Sequence, residues 1–388
     1  MPGAARRVAL ISSSFAPYVG GVETHVDRVA HALRDTGWTA EVWTVDRGEG
    51  LGVVEQDGVR VRYLPTPLPA RSAGAMMRFA RQGPPARRAW ADAYREFRPA
   101  VLNIQCFGPN GLYAEALARR VGAPLVVTSH GETLADDRGV FHRSRRMRAG
   151  LRRAIAAAAA VTAPSQYVLD DLRRAYGLAP AEGRIVRNGV DPIPLGEPMQ
   201  LPAGRYVLGV GRLGRMKGFD LLIEAFADAG LDPGVELVIG GDGPEAGALE
   251  ALAAARGVAH RVRLLGRLDP AEVAQLMAGA LSVVVPSRAE SFGIVALEAW
   301  RAATALVMTN RGGAVEFVHD GSDALLVDPL DRQALVEALR RVTADDALRT
   351  RLAAAGHARV GEFGWPSVAR SYAAVFDELV DADARAEA

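Results

Sequence analysis

Apolar positions along this chain recur with two different periods. Residues 8–13, 40–45 and 59–64 read as strands, and 101–105 and 124–129 are continuous apolar runs of the kind buried in a parallel sheet. Between them, Val22, Val26, Val29, Ala30 and Leu33 recur at helical spacing, and residues 111–121 read as a helix. A Gly20-Gly21 turn precedes the first helix, and Asn188-Gly189-Val190-Asp191-Pro192 is a turn cluster that closes this half. The pattern then restarts, with strands at 206–210, 235–239, 281–285 and 325–327, helices at 219–227 and 292–301, and helices from Arg332 onward. Alternating βα units mean parallel sheets with helices on both faces, here twice. Residues 191–204, with four prolines and two glycines, read as a linker. In such sheets ligands lie outside the carboxyl ends of the strands, so chemistry is expected in residues that follow strands, along a cleft between two facing domains.

Length supports the two-domain reading, since 388 residues exceed one ordinary domain. The 49% hydrophobic and 23% charged residues exclude a disordered or collagen-like chain. No apolar run reaches the roughly 18 residues that span a bilayer. The start of the chain runs into an apolar strand without a signal-type h-region, so a cytoplasmic location is expected. A single cysteine, Cys106, excludes an internal disulfide and a thiolate metal cluster. The net charge of +1 conceals two opposite halves: residues 1–190 hold 27 basic and 17 acidic residues, residues 191–388 hold 19 and 28. The basic half suits an anionic acceptor or a membrane surface, or the halves simply attract each other. Of the 46 basic residues only Lys217 is lysine, which suggests a position where a compact ammonium is needed.

Two motifs carry chemistry. Gly209-Val210-Gly211-Arg212-Leu213-Gly214-Arg215-Met216-Lys217-Gly218 follows a strand and opens a helix. Glycines let backbone approach a ligand, the helix N-terminus favours anions, and Arg212 and Lys217 add cations, which together make a diphosphate site without a metal. The G-K-[ST] ending of a Walker motif is absent. The second motif, Glu290-Ser291-Phe292-Gly293 through Glu298, also follows a strand, with backbone N–H groups exposed near Gly293. Its two carboxylates suit sugar hydroxyls; alternatively Glu290 caps the helix and Glu298 is a surface residue.

With Gly241-Asp242-Gly243-Pro244, Gly312-Gly313 with Glu316, Gly20-Gly21-Val22-Glu23 and Ser129-His130-Gly131, these motifs form an ordered set. The set resembles the family-4 glycosyltransferases, retaining enzymes of the GT-B fold, over nearly the whole chain. That resemblance implies two doubly wound Rossmann-like domains facing a central cleft. Residues 1–190 would bind the acceptor, 205–365 would bind the nucleotide sugar, and 366–388 would form a helix packing back towards the first domain. It implies that Arg212 and Lys217 bind the donor diphosphate and stabilise the leaving group, with Gly211 in their loop. Glu298 would contact the ribose. Glu290 would contact hydroxyls of the transferred sugar, with Gly293, Ile294 and Val295 bringing backbone close to the donor. Gly20 and Gly21 would approach the donor from the first domain, and His130 would lie near the reacting carbon. No cofactor is expected beyond the donor itself, which is a substrate. Two departures stand out: Ala303 and Ala305 replace a glycine and a proline usual after the second glutamate, and Gly214 is expected to loosen the phosphate loop.

The expected reaction is transfer of a hexose-type sugar from a UDP- or GDP-sugar to a small molecule, glycan or lipid, with no nucleic acid involved. Fixed cations stabilise the departing diphosphate more than the ground state. Retention with the leaving phosphate taking the acceptor proton is carried by the resemblance. No Asp-x-Asp element follows a strand and no histidine pair has metal-ligand spacing, so metal-free nucleotide binding is expected. The arginine-rich stretch 138–153 reads as a solvated helix face lining the acceptor side, or as a contact with anionic lipid or a phosphorylated acceptor. A GT-B-fold nucleotide-sugar epimerase, a phosphorylase and a non-enzymatic sugar-binding protein are the competing readings. A phosphorylase would need a Schiff-base lysine, and the one lysine already has a phosphate role.

Overall fold

The computed structural model describes residues 6–17, 20–69, 72–134, 139–192, 199–202 and 204–386. Half of the expected linker (193–198 and 203) and Arg138 of the basic stretch lie outside the described residues. The chain forms two compact units: residues 1–188 with 365–388, and residues 189–364.

Unit 1 runs β1 (Arg7–Ser12), α1 (Gly21–Ala32), β2 (Thr39–Asp46), β3 (Val53–Gln56), β4 (Val59–Pro65), α2 (Ala73–Phe97), β5 (Val101–Gln105), α3 (Pro109–Val121), β6 (Leu125–Thr128), α4 (Val140–Arg143), α5 (Arg145–Ala157), β7 (Ala160–Ala163), α6 (Gln166–Tyr176) and β8 (Arg184–Ile185). Its eight strands lie in the order β3-β4-β2-β1-β5-β6-β7-β8, parallel throughout except for the β3–β4 pair. Successive residues of β1 supply opposite faces: Ala9 and Ile11 join the core formed with α2, α3, α5 and α6, and Val8 and Leu10 the core formed with α1.

Among the elements missing from the apolar reading, β3 and α2 have clear causes. Strand β3 is half exposed and joined to β4 by Asp57 and Gly58, both at positive φ (48° and 78°), a turn that matches strand twist. Helix α2 carries Pro84 and Pro85 inside it, where proline ordinarily breaks a helix. The buried stripe of Ala86, Trp90 and Ala93 holds the helix across that interruption, with Trp90 Nε1 donating to the Pro65 carbonyl at 3.1 Å.

Unit 2 runs β9 (Arg205–Val210), α7 (Phe219–Asp228), β10 (Val235–Gly240), α8 (Ala246–Ala255), β11 (Val262–Leu264), α9 (Pro270–Gly279), β12 (Ser282–Val285), α10 (Ile294–Arg301), β13 (Leu306–Thr309), β14 (Leu325–Val327), α11 (Arg332–Ala344) and α12 (Asp346–Arg359). Its six strands, in the order β11-β10-β9-β12-β13-β14, are all parallel. The chain then returns to unit 1 as α13 (Trp365–Ala386), whose Tyr372, Val375 and Phe376 complete the core shared with α1 and β1.

The two departures have structural answers. Ala303 adopts φ 51°, the left-handed conformation a glycine would take without cost, so the turn keeps its shape despite the substitution. Gly214 does not loosen its loop: at φ −118° and ψ 156° it is extended, its N–H donates to the Arg212 carbonyl, and its own carbonyl accepts from Lys217 N at 3.0 Å.

Candidate active site

In unit 2 the cationic loop leaves β9 at Val210 and is clamped from the next βα connection. Leu213 N donates to the Asp242 carbonyl (2.9 Å) and Glu245 N to the Leu213 carbonyl (3.0 Å), which gives Gly241-Asp242-Gly243-Pro244 its role. Residues 215–217 make one 3₁₀ turn, and Gly218 then takes φ 70°, where a Cβ would collide with the Pro286 carbonyl oxygen. This close approach sets the loop against the end of β12. There Lys217 Nζ donates to Glu290 Oε2 at 2.7 Å, and Ser287 Oγ donates to the same oxygen at 3.0 Å. Glu290 is 9% exposed, and its backbone is fixed by Arg311 O and Gly313 N (2.9 and 2.8 Å). Helix α10 starts from Gly293 with no side-chain cap, so Glu290 is a partner of Lys217 and not a helix cap. The helical pattern leaves the N–H groups of Ile294 and Val295 without intrahelical acceptors.

Glu298 lies one to two turns into α10, half-buried. Burial raises its carboxyl above the usual range, Arg301 opposes that, and Asp191 adds to it. Arg212 is exposed at the start of the loop. Sequence reading overlooks Arg288. Its N–H donates to the Met216 carbonyl (2.8 Å), and its guanidinium reaches the Arg215 carbonyl (2.7 Å) and both Asp220 oxygens (2.7 and 2.6 Å). Burial works to raise the Asp220 carboxyl, but the Arg288 fork outweighs it and holds it low. Arg288 thus ties the β12–α10 connection to the cationic loop.

In unit 1, Gly20 is the N-cap of α1, with Gly21 its first residue. His130 follows β6 in a turn closed by Glu132, another residue the sequence reading passes over. Glu132 accepts from His130 N (2.8 Å), Ser129 Oγ (2.9 Å) and Phe107 N (2.8 Å). Burial pushes the Glu132 carboxyl up, against these hydrogen bonds. His130 is neutral: burial lowers its imidazole to about 4.

The tautomer of His130 follows from its neighbours. Asn103 Nδ2 faces the Val126 and Ile104 carbonyls (3.4 and 3.3 Å), which can only accept, and Thr128 Oγ1 (2.9 Å), so Asn103 Oδ1 accepts from Gln105 Nε2 (2.6 Å). Gln105 therefore presents its oxygen to His130 Nε2 at 2.8 Å, which puts the proton on Nε2 and a lone pair on Nδ1. Beneath it lies His25, its ring centroid 4.6 Å away in an edge-on arrangement, and His25 Nε2 bonds Tyr372 Oη of α13 at 3.1 Å. Burial, and next to it His130, pushes the His25 imidazole well below its usual value, with Asn188 opposing.

The structure thus brings Lys217 and Glu290 into direct contact and gathers Gly211, Arg212, Gly293, Ile294, Val295 and Glu298 at the carboxyl ends of β9 and β12 in unit 2. His130, Gly20 and Gly21 occupy the corresponding strand ends of unit 1. Two α/β units built on largely parallel sheets, the second with cations and carboxylates at its strand ends, are the architecture of the GT-B glycosyltransferases.

The comparisons agree. Residues 201–359 match the model described as glycosyl transferases group 1, and residues 19–193 the model for glycosyltransferase family 4. The chain belongs to glycosyltransferase family 4. A D-inositol 3-phosphate glycosyltransferase of Frankia alni is 32% identical over 393 residues, 90% of this chain and 92% of that one. The lipopolysaccharide core biosynthesis glycosyltransferase LpsE of Rhizobium meliloti is 38% identical over 191 residues, 49% of this chain and 53% of its own, so that match spans about half its length. Among solved structures, sucrose-phosphate synthase from Thermosynechococcus elongatus shares the fold with a TM-score of 0.82 at 24% identity, covering 97% of this chain and all of its own. Anabaena HepE, solved with UDP and glucose, does so at 0.78 and 22% identity, covering 96% of this chain and all of its own.

Proposed function

We propose that the chain transfers a hexose-type sugar from a UDP- or GDP-sugar to a hydroxyl acceptor, with retention and without a metal. The observation that carries this reading is the Lys217–Glu290 pair at 2.7 Å. A nucleotide sugar has a diphosphate joined to a ring of hydroxyls. One cation and one carboxylate, bonded to each other at a strand end, address both sides of the bond that breaks. Lys217 and Arg212 stabilise charge on the departing diphosphate, where preorganised donors act most strongly. The N–H groups of Ile294 and Val295, at the start of α10, favour the same anion.

Glu290 keeps Oε1 for a hydroxyl of the transferred sugar, since Lys217 and Ser287 both bond Oε2. Glu298, whose burial already favours a shared proton, accepts from the ribose. His130 offers the lone pair on Nδ1 to a sugar hydroxyl and does not take up a proton itself near neutrality, consistent with an imidazole lowered to about 4. As the resemblance to the retaining family implies, the leaving phosphate takes the acceptor proton as the new bond forms on the same face. UDP is the first donor base to try, because HepE is a structural neighbour solved with UDP. Among the described residues no helix is long and apolar enough to cross a membrane.

The test is incubation with a panel of UDP- and GDP-sugars, with and without acceptors and with excess chelator. Acceptor-dependent nucleotide release, and a product whose anomeric configuration by NMR matches the donor, support the reading. Isomerised nucleotide sugar without acceptor would mean an epimerase, and loss of turnover on chelation would remove the metal-free part.

A further inference from the structure

Unit 1 carries a trough that none of the groups described above occupies. Helix α3 packs against both α2 and α5, and its outward face, Leu112, Tyr113 and Ala116, forms the floor. Phe79 of α2 and the segment Pro67–Leu68–Pro69 after β4 close it, around a cavity of about 380 Å³. That is the size of an ordinary small-molecule site. Its shape is held from behind. Tyr113 Oη donates to the Pro67 carbonyl at 2.8 Å, and Gly150 lets α5 sit directly on Leu112, where a Cβ would collide.

The charge is one-sided. Arg87 projects into the trough from α2, Arg146 and Arg153 from α5, and among the described residues lining it there is no carboxylate. All three arginines are exposed at its surface. Burial pushes the Tyr113 phenol above its usual value, while Arg87 and Arg146 pull the other way, so both guanidinia act on the floor of the trough. Three forks around an apolar floor match a ligand with a phosphate or similar oxyanion attached to a flat apolar body. The forks give bidentate recognition, the floor gives contact area, and neither half of such a ligand binds well alone.

We propose that this trough binds the acceptor, and that the acceptor class is a small anionic molecule with an apolar ring or short apolar chain, typified by an aryl phosphate. The naming of the ligand as acceptor rests on the transferase reading; the existence of the site does not. Met76 and Met77, exposed at the start of α2, would suit contact with a lipid leaflet, but the guanidinia here surround a concavity instead of forming a flat rim. A small molecule is therefore the occupant the geometry favours.

The test is calorimetric titration of the full chain with 1-naphthyl phosphate, 1-naphthol, inorganic phosphate and phosphatidylglycerol vesicles. Naphthyl phosphate should bind at least tenfold more tightly than naphthol or phosphate. Ala116→Trp, which fills the trough from an exposed helix position, should abolish that binding. Arg87→Gln with Arg146→Gln and Arg153→Gln should weaken it at least tenfold and remove the preference for the phosphate ester, and serves if the tryptophan variant does not fold. Equal binding by parent and both variants would overturn the site, as would vesicle binding that naphthyl phosphate does not displace. Binding lost in the variants, with UDP-sugar turnover never seen, would retain the site and remove its role as acceptor pocket. Turnover that persists unchanged in both variants would do the same while leaving the transferase reading intact.

Discussion

Tyr372 and His25 meet through a 3.1 Å hydrogen bond although 347 positions separate them. The bond joins the last helix to the layer directly under His130, so the orientation of a proposed site residue depends on α13. Tyr372→Phe leaves a buried ring nitrogen without its partner, at a cost of about 1–3 kcal/mol. The melting temperature should fall by several degrees. Gln105→Met removes the acceptor that fixes the His130 proton on Nε2. Turnover should drop roughly tenfold with the KM for donor unchanged. Equal activity of the Gln105 variant and the parent would show that the tautomer is irrelevant.

Lys217→Ala should lower kcat by about 10²–10³, the usual effect of losing one fixed donor to a developing charge. Arginine at 217 should restore only part, because a planar fork does not occupy the place of an ammonium bonded to Glu290. Arg212→Ala should act in the same direction, and the double variant should lose less than the sum, since both stabilise one leaving group. Thermal melts should show Lys217→Ala less stable than Lys217→Met combined with Glu290→Gln, because only the single variant leaves a buried carboxylate uncompensated.

The two glutamates should separate in a binding experiment. Glu290→Gln is expected to reduce turnover while free nucleotide binds with near-normal affinity. Glu298→Gln should weaken the nucleotide itself. Titration of UDP and GDP into each variant checks this, and interchanged phenotypes would reverse the assignment of the pair.

Ala303→Gly should stabilise the protein. The left-handed conformation costs alanine roughly 1–2 kcal/mol, and the added freedom of the unfolded glycine returns about 0.4–1. The net gain should appear as a small rise in melting temperature with transfer rate unchanged.

Acidification should destabilise the fold through its buried histidines. His130, lowered to about 4, and His25, lower than its usual value, bind fewer protons folded than unfolded. Their contribution is present above the ordinary histidine value near 6.5 and is lost as pH falls towards 4. Glu132 and Glu298 have raised carboxyls and act with the opposite sign over the lower part of that range. Urea unfolding at pH 7.5 and 5 should show the decline, and His130→Gln should reduce it.

Much of this was legible in the chain. Strands β5 and β6 are buried at every position because both faces of a parallel sheet are covered, and in β5 the apolar run is broken by the hydrogen-bonded Asn103 and Gln105. The cations at 212 and 217 were visible because loop residues after strands have few structural reasons to be arginine or lysine beside glycine. What stayed hidden depends on tertiary pairing. Nothing local joins Lys217 to Glu290, 73 positions on, or Arg288 to Asp220, 68 positions back. Helix α2 was lost to its two prolines, because local rules weigh the broken hydrogen bonds and not the burial of Trp90 that offsets them. Gln105 was counted within an apolar run, although its amide faces His130.

The excursion of the chain at residue 188 and its return at 365 also set an order of events during synthesis. Unit 2 is continuous and has all its strands once residue 364 has been made. Unit 1, begun first, still lacks Tyr372 and Phe376 at that moment, with the apolar faces of α1 and β1 uncovered. The first-made half is therefore the last to close, and a chain cut before Tyr372 opens a core whose other members were made more than 300 residues earlier, at α1 and β1.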